Sequence, residues 1–233
     1  MDGDEKTCLP FSRVCFRERF LSLLIFIIAM LVLGPLLEEF VKIRILMDIL
    51  WSAIFVSAIY AVSQKKHHII IGVMLALPML ASVWAKYFVQ YKALIAVGSL
   101  CGAAFFLFAI IQMLIFIYSH KEVTRDLIIG AAVVYLFMAL MWTFIFVAVE
   151  TLHPGSFNIP EGQNIEASRY FLYYSFVTLT TLGYGDITPA TSITRSLCIL
   201  EAVIGQLYLV VQVAWLVGVH VSQSMLKKTG RDE

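Results

Sequence analysis

The sequence predicts an all-α membrane protein, and three observations lead to this class. Of the 233 residues, 61% are hydrophobic and only 14% are charged, which gives a mean hydropathy of +0.88. The apolar residues gather in long runs with few charges, and about 20 such residues in a helix cross the hydrocarbon core of a bilayer. A shorter aromatic and β-branched run, residues 170–180, separates the last two of these runs. We therefore expect six transmembrane helices and one short re-entrant helix.

The six predicted spans follow one another with short connections, except before the sixth, where residues 150–169 and the re-entrant helix intervene. The spans are approximately Phe20 to Leu37, Leu46 to Val62, Ile69 to Trp84, Ala93 to Tyr118, Leu127 to Val149 and Thr191 to Ser224. Pro78 lies inside the third span and predicts a kink there.

The basic residues of the connections predict the orientation. With the N-terminus inside, eleven of the 17 Lys and Arg residues fall on the inner side and six on the outer side. Cytoplasmic loops of membrane proteins carry an excess of Lys and Arg. We therefore expect a multi-pass protein of the plasma membrane with both termini in the cytoplasm.

Composition also excludes some functions. A net charge of +1 gives no support for a nucleic-acid partner. His67 and His68 are the one histidine pair in a predicted loop, and no acid or cysteine is placed to complete a metal site with them. We expect the protein to have no enzyme activity and no cofactor, and to be embedded in the lipid bilayer.

The most informative string is Thr180 to Asp186, which reads Thr-Thr-Leu-Gly-Tyr-Gly-Asp. A potassium ion gives up its water only where other oxygens replace it at similar distances, and backbone carbonyls can do this. Gly183 and Gly185 can adopt positive φ without a steric penalty, so they can turn successive carbonyls to one side. Thr181 adds a hydroxyl oxygen at the start of this row.

This string resembles the selectivity filter of the tetrameric, pore-loop potassium channels, Thr-Val-Gly-Tyr-Gly, with Leu182 in place of Val. The resemblance covers residues 169–222 and implies a six-helix chain of which four copies surround one pore. It also implies that potassium, the permeant ligand, binds backbone carbonyls of the filter and the Thr181 hydroxyl. The filter residues are Thr181, Leu182, Gly183, Tyr184 and Gly185. Alternatives are a weakly selective cation channel and a non-conducting membrane sensor with a pore-like fold.

The same resemblance divides the chain. Residues 1–19 are a cytoplasmic segment, residues 20–118 a four-helix scaffold similar to a voltage sensor, and residues 119–126 a cytoplasmic linker. Residues 127–224 form the pore domain with its outer helix, pore helix, filter and inner helix, and residues 225–233 are a short cytoplasmic tail.

Four residues are predicted to support the filter by this resemblance. Tyr174 on the pore helix is expected to hydrogen-bond Asp186, and Thr180 precedes the filter. Glu150, at the outer end of the fifth span, is expected to bond backbone groups near residues 190–192, at the start of the last helix. A packed Tyr174 and a solvated Glu150 are the simpler alternatives.

The sixth span carries the predicted gate. Gly205 lies where the family has a hinge, although glycine in a membrane helix is as often a close-packing contact. Gln206, Leu209, Val213 and Val217 share one helical face, which we assign to the cavity and the inner pore.

Glu201 is an acid inside the sixth span, where charged groups are costly and usually functional. It points about 140° away from Gln206 around the helix, so we expect it to face the pore helix or an element of another subunit, with Ser175 or Thr178 as a plausible partner. We predict either a structural hydrogen bond or a protonation site that modulates gating.

The fourth span has no Lys, Arg, Asp or Glu between Ala93 and Tyr118. Voltage sensors need several charges in the membrane, so steep voltage gating is not expected. Gly98 and Gly102 are four residues apart, a spacing that lets membrane helices approach closely. We therefore interpret this span as a packing element.

Overall fold

A computed structural model describes the chain except for residues 1–18, 37–42, 63–65, 86–90, 121–122, 161–166 and 230–233. The described residues form seven α-helices and two short strands. The helices are α1 (Arg19–Leu36), α2 (Ile43–Val62), α3 (Lys66–Ala85), α4 (Lys92–Ser119), α5 (Arg125–Leu152), α6 (Ala167–Leu179) and α7 (Ser192–Thr229). The strands β1 (Phe157–Asn158) and β2 (Thr188–Pro189) pair antiparallel. Each predicted span, and the re-entrant helix, corresponds to one of these helices.

Among the described residues, four helices are long and apolar enough to cross a membrane. These stretches are His67–Trp84, Lys92–Ser119, Arg125–Leu152 and Ser192–Val219. The described apolar parts of α1 and α2, Phe20–Leu33 and Asp48–Ala61, are shorter. A multi-pass membrane protein follows from these lengths, whereas a count of six spans stays a prediction.

Helix α5 lies at the centre of the chain, where it contacts α1, α4, α6 and α7. Aromatic rings connect it to the helices that precede it. Phe106 of α4 lies with its ring centroid 5.1 Å from that of Phe137 and 5.8 Å from that of Phe144, both on α5. Phe55 of α2 lies 5.2 Å from Phe106. The predicted scaffold and the outer pore helix therefore share one hydrophobic core.

The close helix contacts predicted for α4 are confirmed. A Cβ on Gly98 would clash with Ser82 of α3, and a Cβ on Gly102 would lie 3.0 Å from Met79 and 3.2 Å from Phe144. Both glycines thus allow α4 to approach its neighbours. Helix α5 then begins at an N-cap, since Thr124 Oγ1 accepts a bond from the amide of Leu127 at 3.3 Å. Residues 121–122 of the predicted linker lie outside the described part of the chain.

Candidate functional site

The segment predicted to be a filter begins where α6 ends. The amide of Thr181 donates to the carbonyl of Thr178 at 3.0 Å, while the amides of Leu182 and Gly183 donate to the carbonyl of Val177 at 2.9 and 3.3 Å. These bonds satisfy two carbonyls of the last helical turn, which would otherwise lack partners. The first amides of the segment are therefore directed back to the helix, and the chain leaves α6 in a fixed direction.

Alternate residues of this segment have left-handed backbone geometry. The φ angles are 60° at Thr181, 58° at Gly183 and 78° at Gly185. The positive φ predicted for the two glycines is confirmed. Positive φ at Thr181 was not predicted and is costly for a β-branched residue, and such outliers cluster at functional sites. The alternation turns successive carbonyls away from the opposed directions that they take in an extended strand.

The carbonyl oxygens of this segment have no hydrogen-bond donor from the described part of the chain at residues 181–184. The side chains of Leu182 and Tyr184 are 56% and 67% exposed in the single chain. A row of unpaired carbonyl oxygens is a ligand set suited to a dehydrated monovalent cation.

A phenol and a carboxylate hold the outer end of the segment, but the phenol is not the predicted one. The hydroxyl of Tyr173 donates to Asp186 Oδ2 at 2.8 Å, and the amide of Ile187 donates to Asp186 Oδ1 at 3.0 Å. The rings of Tyr173 and Tyr184 stack, with centroids 6.4 Å apart and an interplanar angle of 7°. Desolvation and the bond to Asp186 raise the pKa of Tyr173 to about 12, so the phenol keeps its proton at physiological pH.

The predicted bond between Tyr174 and Asp186 is wrong. Tyr174 is buried and its hydroxyl shares a 2.9 Å hydrogen bond with Cys198 Sγ of α7. Neighbouring residues of a helix point about 100° apart, so only one of two consecutive tyrosines can face the filter. The pair of aromatic residues was the correct signal, and the family pattern did not indicate which member makes the bond.

The partner predicted for Glu150 is also wrong, although the type of bond is correct. Its carboxylate accepts from the amides of Gly155 at 2.8 Å and Phe157 at 3.2 Å, rather than from residues 190–192. Gly155 has a φ of 86°, which folds the chain back toward the end of α5. Contact with the start of α7 is made instead by Ser156, whose carbonyl accepts from the amide of Ala190 and the hydroxyl of Thr194.

The inner end of α6 is held by three contacts. Thr180 Oγ1 donates to the carbonyl of Phe176 at 2.6 Å, and the hydroxyl of Tyr135 of α5 donates to the carbonyl of Leu179 at 3.2 Å. On α7, a Cβ added at Gly205 would lie 2.6 Å from Leu179 Cδ1 and 3.1 Å from its carbonyl oxygen. Of the two roles considered for Gly205, the structure therefore supports close packing.

Of the two partners considered for Glu201, the structure shows Ser175. Its side chain is fully buried, and its Oε1 lies 2.5 Å from the hydroxyl oxygen of Ser175 on α6.

The residues assigned to the inner pore are all exposed in the single chain: Gln206, Leu209, Val213 and Val217. Tyr118 at the end of α4 reaches the same helix and donates to Gln212 Oε1 at 3.2 Å, a contact that the sequence did not indicate.

The chain is similar to a known protein family. A family model described as "Ion channel" matches residues 104–220, which is half of the 233-residue chain. The matched region begins within α4 and contains α5, α6, the filter-like segment and the greater part of α7. A search of curated proteins found no match.

Proposed function

Because the chain belongs to the ion channel family, we propose that it is a potassium-selective channel whose single pore is formed by four copies of the chain. The filter is the segment Thr181 to Gly185, whose carbonyls, with the Thr181 hydroxyl, replace the water around potassium. The alternating positive φ angles in this segment are the observation that carries the proposal.

The unpaired carbonyls also support the homotetramer. Irregular backbone at membrane depth is tolerated only where protein buries it or where it lines a water-filled cavity. In one chain, Tyr184 is 67% exposed and the other residues of the segment are exposed as well. Copies of the same chain around an axis would cover the side chains and direct the carbonyls at the ion path, since one chain supplies only one wall of a filter.

The proposed channel lies in the plasma membrane with both termini in the cytoplasm, as the Lys and Arg distribution predicts. Its six membrane-spanning segments are α1 to α5 and α7, and the first four form a scaffold without gating charges. The channel is passive, with no enzyme activity and no cofactor, and neither nucleic acid nor any chain besides its own copies takes part.

The test of selectivity is the reversal potential of the purified protein in a planar bilayer, with potassium on one side and sodium on the other. We expect a value close to the potassium equilibrium potential. A reversal near zero would instead support the weakly selective alternative. Absence of current over a wide range of pH and voltage would support the non-conducting sensor.

The proposed gate is an apolar constriction at Val213 and Val217 that closes by dewetting, while Gln206 hydrates the cavity above it. We expect cysteines at residues 213 and 217 to react with a water-soluble thiol reagent when the channel is open. Val211 is a matched control, because it has similar exposure but points about 160° away from Val213 around the helix. Equal reaction at all three positions would contradict the assignment.

A further inference from the structure

A row of three polar groups crosses the three helices of the predicted pore domain, outside the filter itself. Glu201 of α7 places Oε1 2.5 Å from the hydroxyl oxygen of Ser175 on α6. The same hydroxyl oxygen lies 2.8 Å from the carbonyl oxygen of Ala139 on α5. Both side chains are fully buried. The inner, pore and outer helices therefore meet at one hydroxyl group.

The number of hydrogens in this row decides which group donates each hydrogen bond and whether Glu201 is protonated. The Ser175 hydroxyl has one hydrogen to donate, and a backbone carbonyl only accepts. Both short contacts are hydrogen bonds only when Glu201 carries a proton and donates it to Ser175, which then donates to Ala139. The carbonyl of Ala139 also accepts from the hydroxyl of Thr143 at 2.8 Å, so hydroxyls of α5 and α6 converge on it.

The surroundings of Glu201 favour the same neutral form. Within the described residues, its Oε2 has no hydrogen-bond partner. The titratable groups that face it are the Tyr135 hydroxyl of α5, the Tyr174 hydroxyl of α6 and the Cys198 thiol of α7, none of which is a cation. An isolated carboxylate in an apolar site is far more costly than a neutral carboxyl group.

We propose that Glu201 and Ser175 are positioning residues for the filter. Neutral Glu201 donates to Ser175, Ser175 donates to Ala139, and this chain of bonds fixes α6 between α5 and α7. The last residue of α6 is Leu179, one helical turn after Ser175, and the filter follows directly. A shift of α6 therefore moves the filter carbonyls.

This arrangement predicts sensitivity to alkaline pH. Removal of the proton from Glu201 leaves a charge in a buried site and removes the hydrogen that Glu201 donates to Ser175. The Glu201 carboxylate and the Ala139 carbonyl then compete for the one hydrogen of the Ser175 hydroxyl, so α6 loses one of its two fixed contacts. We expect potassium current to fall when pH is raised far enough to remove this proton.

The first test needs no current, so it is independent of the proposed potassium function. Difference infrared spectra are recorded at neutral pH between the unmodified protein and Glu201→Gln, both in lipid. We expect the carbonyl band of a protonated carboxylic acid in the unmodified protein and its loss in the variant. Asp48, the other acid buried among the described residues, supplies the control Asp48→Asn, which should keep the Glu201 band. Absence of a band assigned to Glu201 overturns the proposal.

The second test measures selectivity and rests on the proposed function. We expect Ser175→Ala to lower the preference for potassium over sodium by about tenfold, the usual scale for an unsatisfied buried group. Glu201→Gln keeps a donor and should retain more selectivity than Glu201→Leu, and its current should no longer respond to pH. The control is Ser196→Ala, because the hydroxyl of Ser196 is exposed and donates to the carbonyl of Ser192 within α7 at 3.0 Å.

Two results of the second test would overturn the proposal. One is equal selectivity in Ser175→Ala and Ser196→Ala, and the other is an unchanged pH response in Glu201→Gln. If the unmodified protein does not distinguish potassium from sodium, the proposed function fails, while the infrared result still decides the protonation of Glu201.

Discussion

At the scale of single residues, the chemistry of the filter support could be predicted, but the identity of the donor could not. The sequence places two tyrosines side by side on a helix that ends before a carboxylate. Rotation of that helix about its axis is set by packing, and Tyr174 is turned toward Cys198 because α7 covers that side. Tyr173 is left to reach Asp186. A sequence shows how side chains are spaced around a helix, but it does not show how that helix is rotated relative to its neighbours.

Replacing Tyr173 by Phe tests this assignment. The change removes the bond to Asp186 and keeps the ring that stacks on Tyr184. A hydrogen bond to a charged group contributes about 1.5–3 kcal/mol, and at this exposed position we expect the lower end. The predicted result is a less stable conducting state, seen as shorter openings in single-channel records.

Tyr174→Phe is the matched control for that experiment, since it removes the bond to Cys198 instead. A larger loss of conduction in Tyr174→Phe would contradict the assignment. The raised pKa of Tyr173 gives the sign of its pH dependence: stabilisation by the phenol is complete below its unperturbed pKa of 10.0 and is lost as pH rises through about 12.

Leu182 provides a second prediction at the residue scale. The proposed ion ligands at this position are backbone oxygens, and the side chain is 56% exposed in the single chain. Leu182→Val restores the residue of the family filter without changing any ligand, so we expect an unchanged reversal potential. Gly183→Ala is the contrasting variant, because its φ of 58° disfavours any side chain, and it should lose selectivity. Repair of a relaxed filter by Leu182→Val would contradict this view.

At the scale of elements, the decisive contacts lie where α6 ends. Its last carbonyl accepts from Tyr135, and its last side chain lies against Gly205. The positions of these helices along the chain were predictable because long apolar runs have clear limits. The contacts between them were not, since they depend on which faces meet. Glu150 is an example. A turn at Gly155 brings the amides of Gly155 and Phe157 to its carboxylate, which therefore bonds them rather than residues 190–192.

Gly205→Ala tests the close contact between α6 and α7. The new Cβ would lie 2.6 Å from Leu179 Cδ1 and 3.1 Å from the Leu179 carbonyl. Overpacking of this kind costs about 1–3 kcal/mol. We expect a lower midpoint of thermal unfolding for the assembled protein, together with reduced current.

Gly218→Ala, on the same helix, is the matched control. A Cβ at Gly218 has no neighbouring heavy atom of the described chain within 4 Å. Alanine is the better helix former by about 1 kcal/mol, so this variant should be neutral or slightly more stable. An equal loss of stability in both variants would show that the Leu179 contact is not the cause.

At the scale of the whole molecule, the first four helices and the pore helices are not separate packing units. Phe106 of α4 contacts rings on both α2 and α5, and Tyr118 at the end of α4 reaches Gln212 of α7. The sequence indicated a boundary near residues 119–126 because charge gathers there. Shared burial of aromatic rings leaves no such mark in a sequence, since apolar residues occur on several sides of these helices.

The absence of charge between Ala93 and Tyr118 of α4 leads to the last prediction, the response of the channel to voltage. One elementary charge that crosses the membrane potential contributes about 2.3 kcal/mol per 100 mV, and steep gating needs several. Residues 93–118 of α4 carry none, and close contacts at Gly98 and Gly102 fix this helix against α3 and α5. We therefore expect the open probability, measured in symmetrical potassium, to vary only weakly with voltage. Steep activation would require another moving charge, and Asp48, buried in α2, would be the first candidate. Loss of the steepness in Asp48→Asn would then assign voltage sensing to α2 and overturn the view of the scaffold as a passive support.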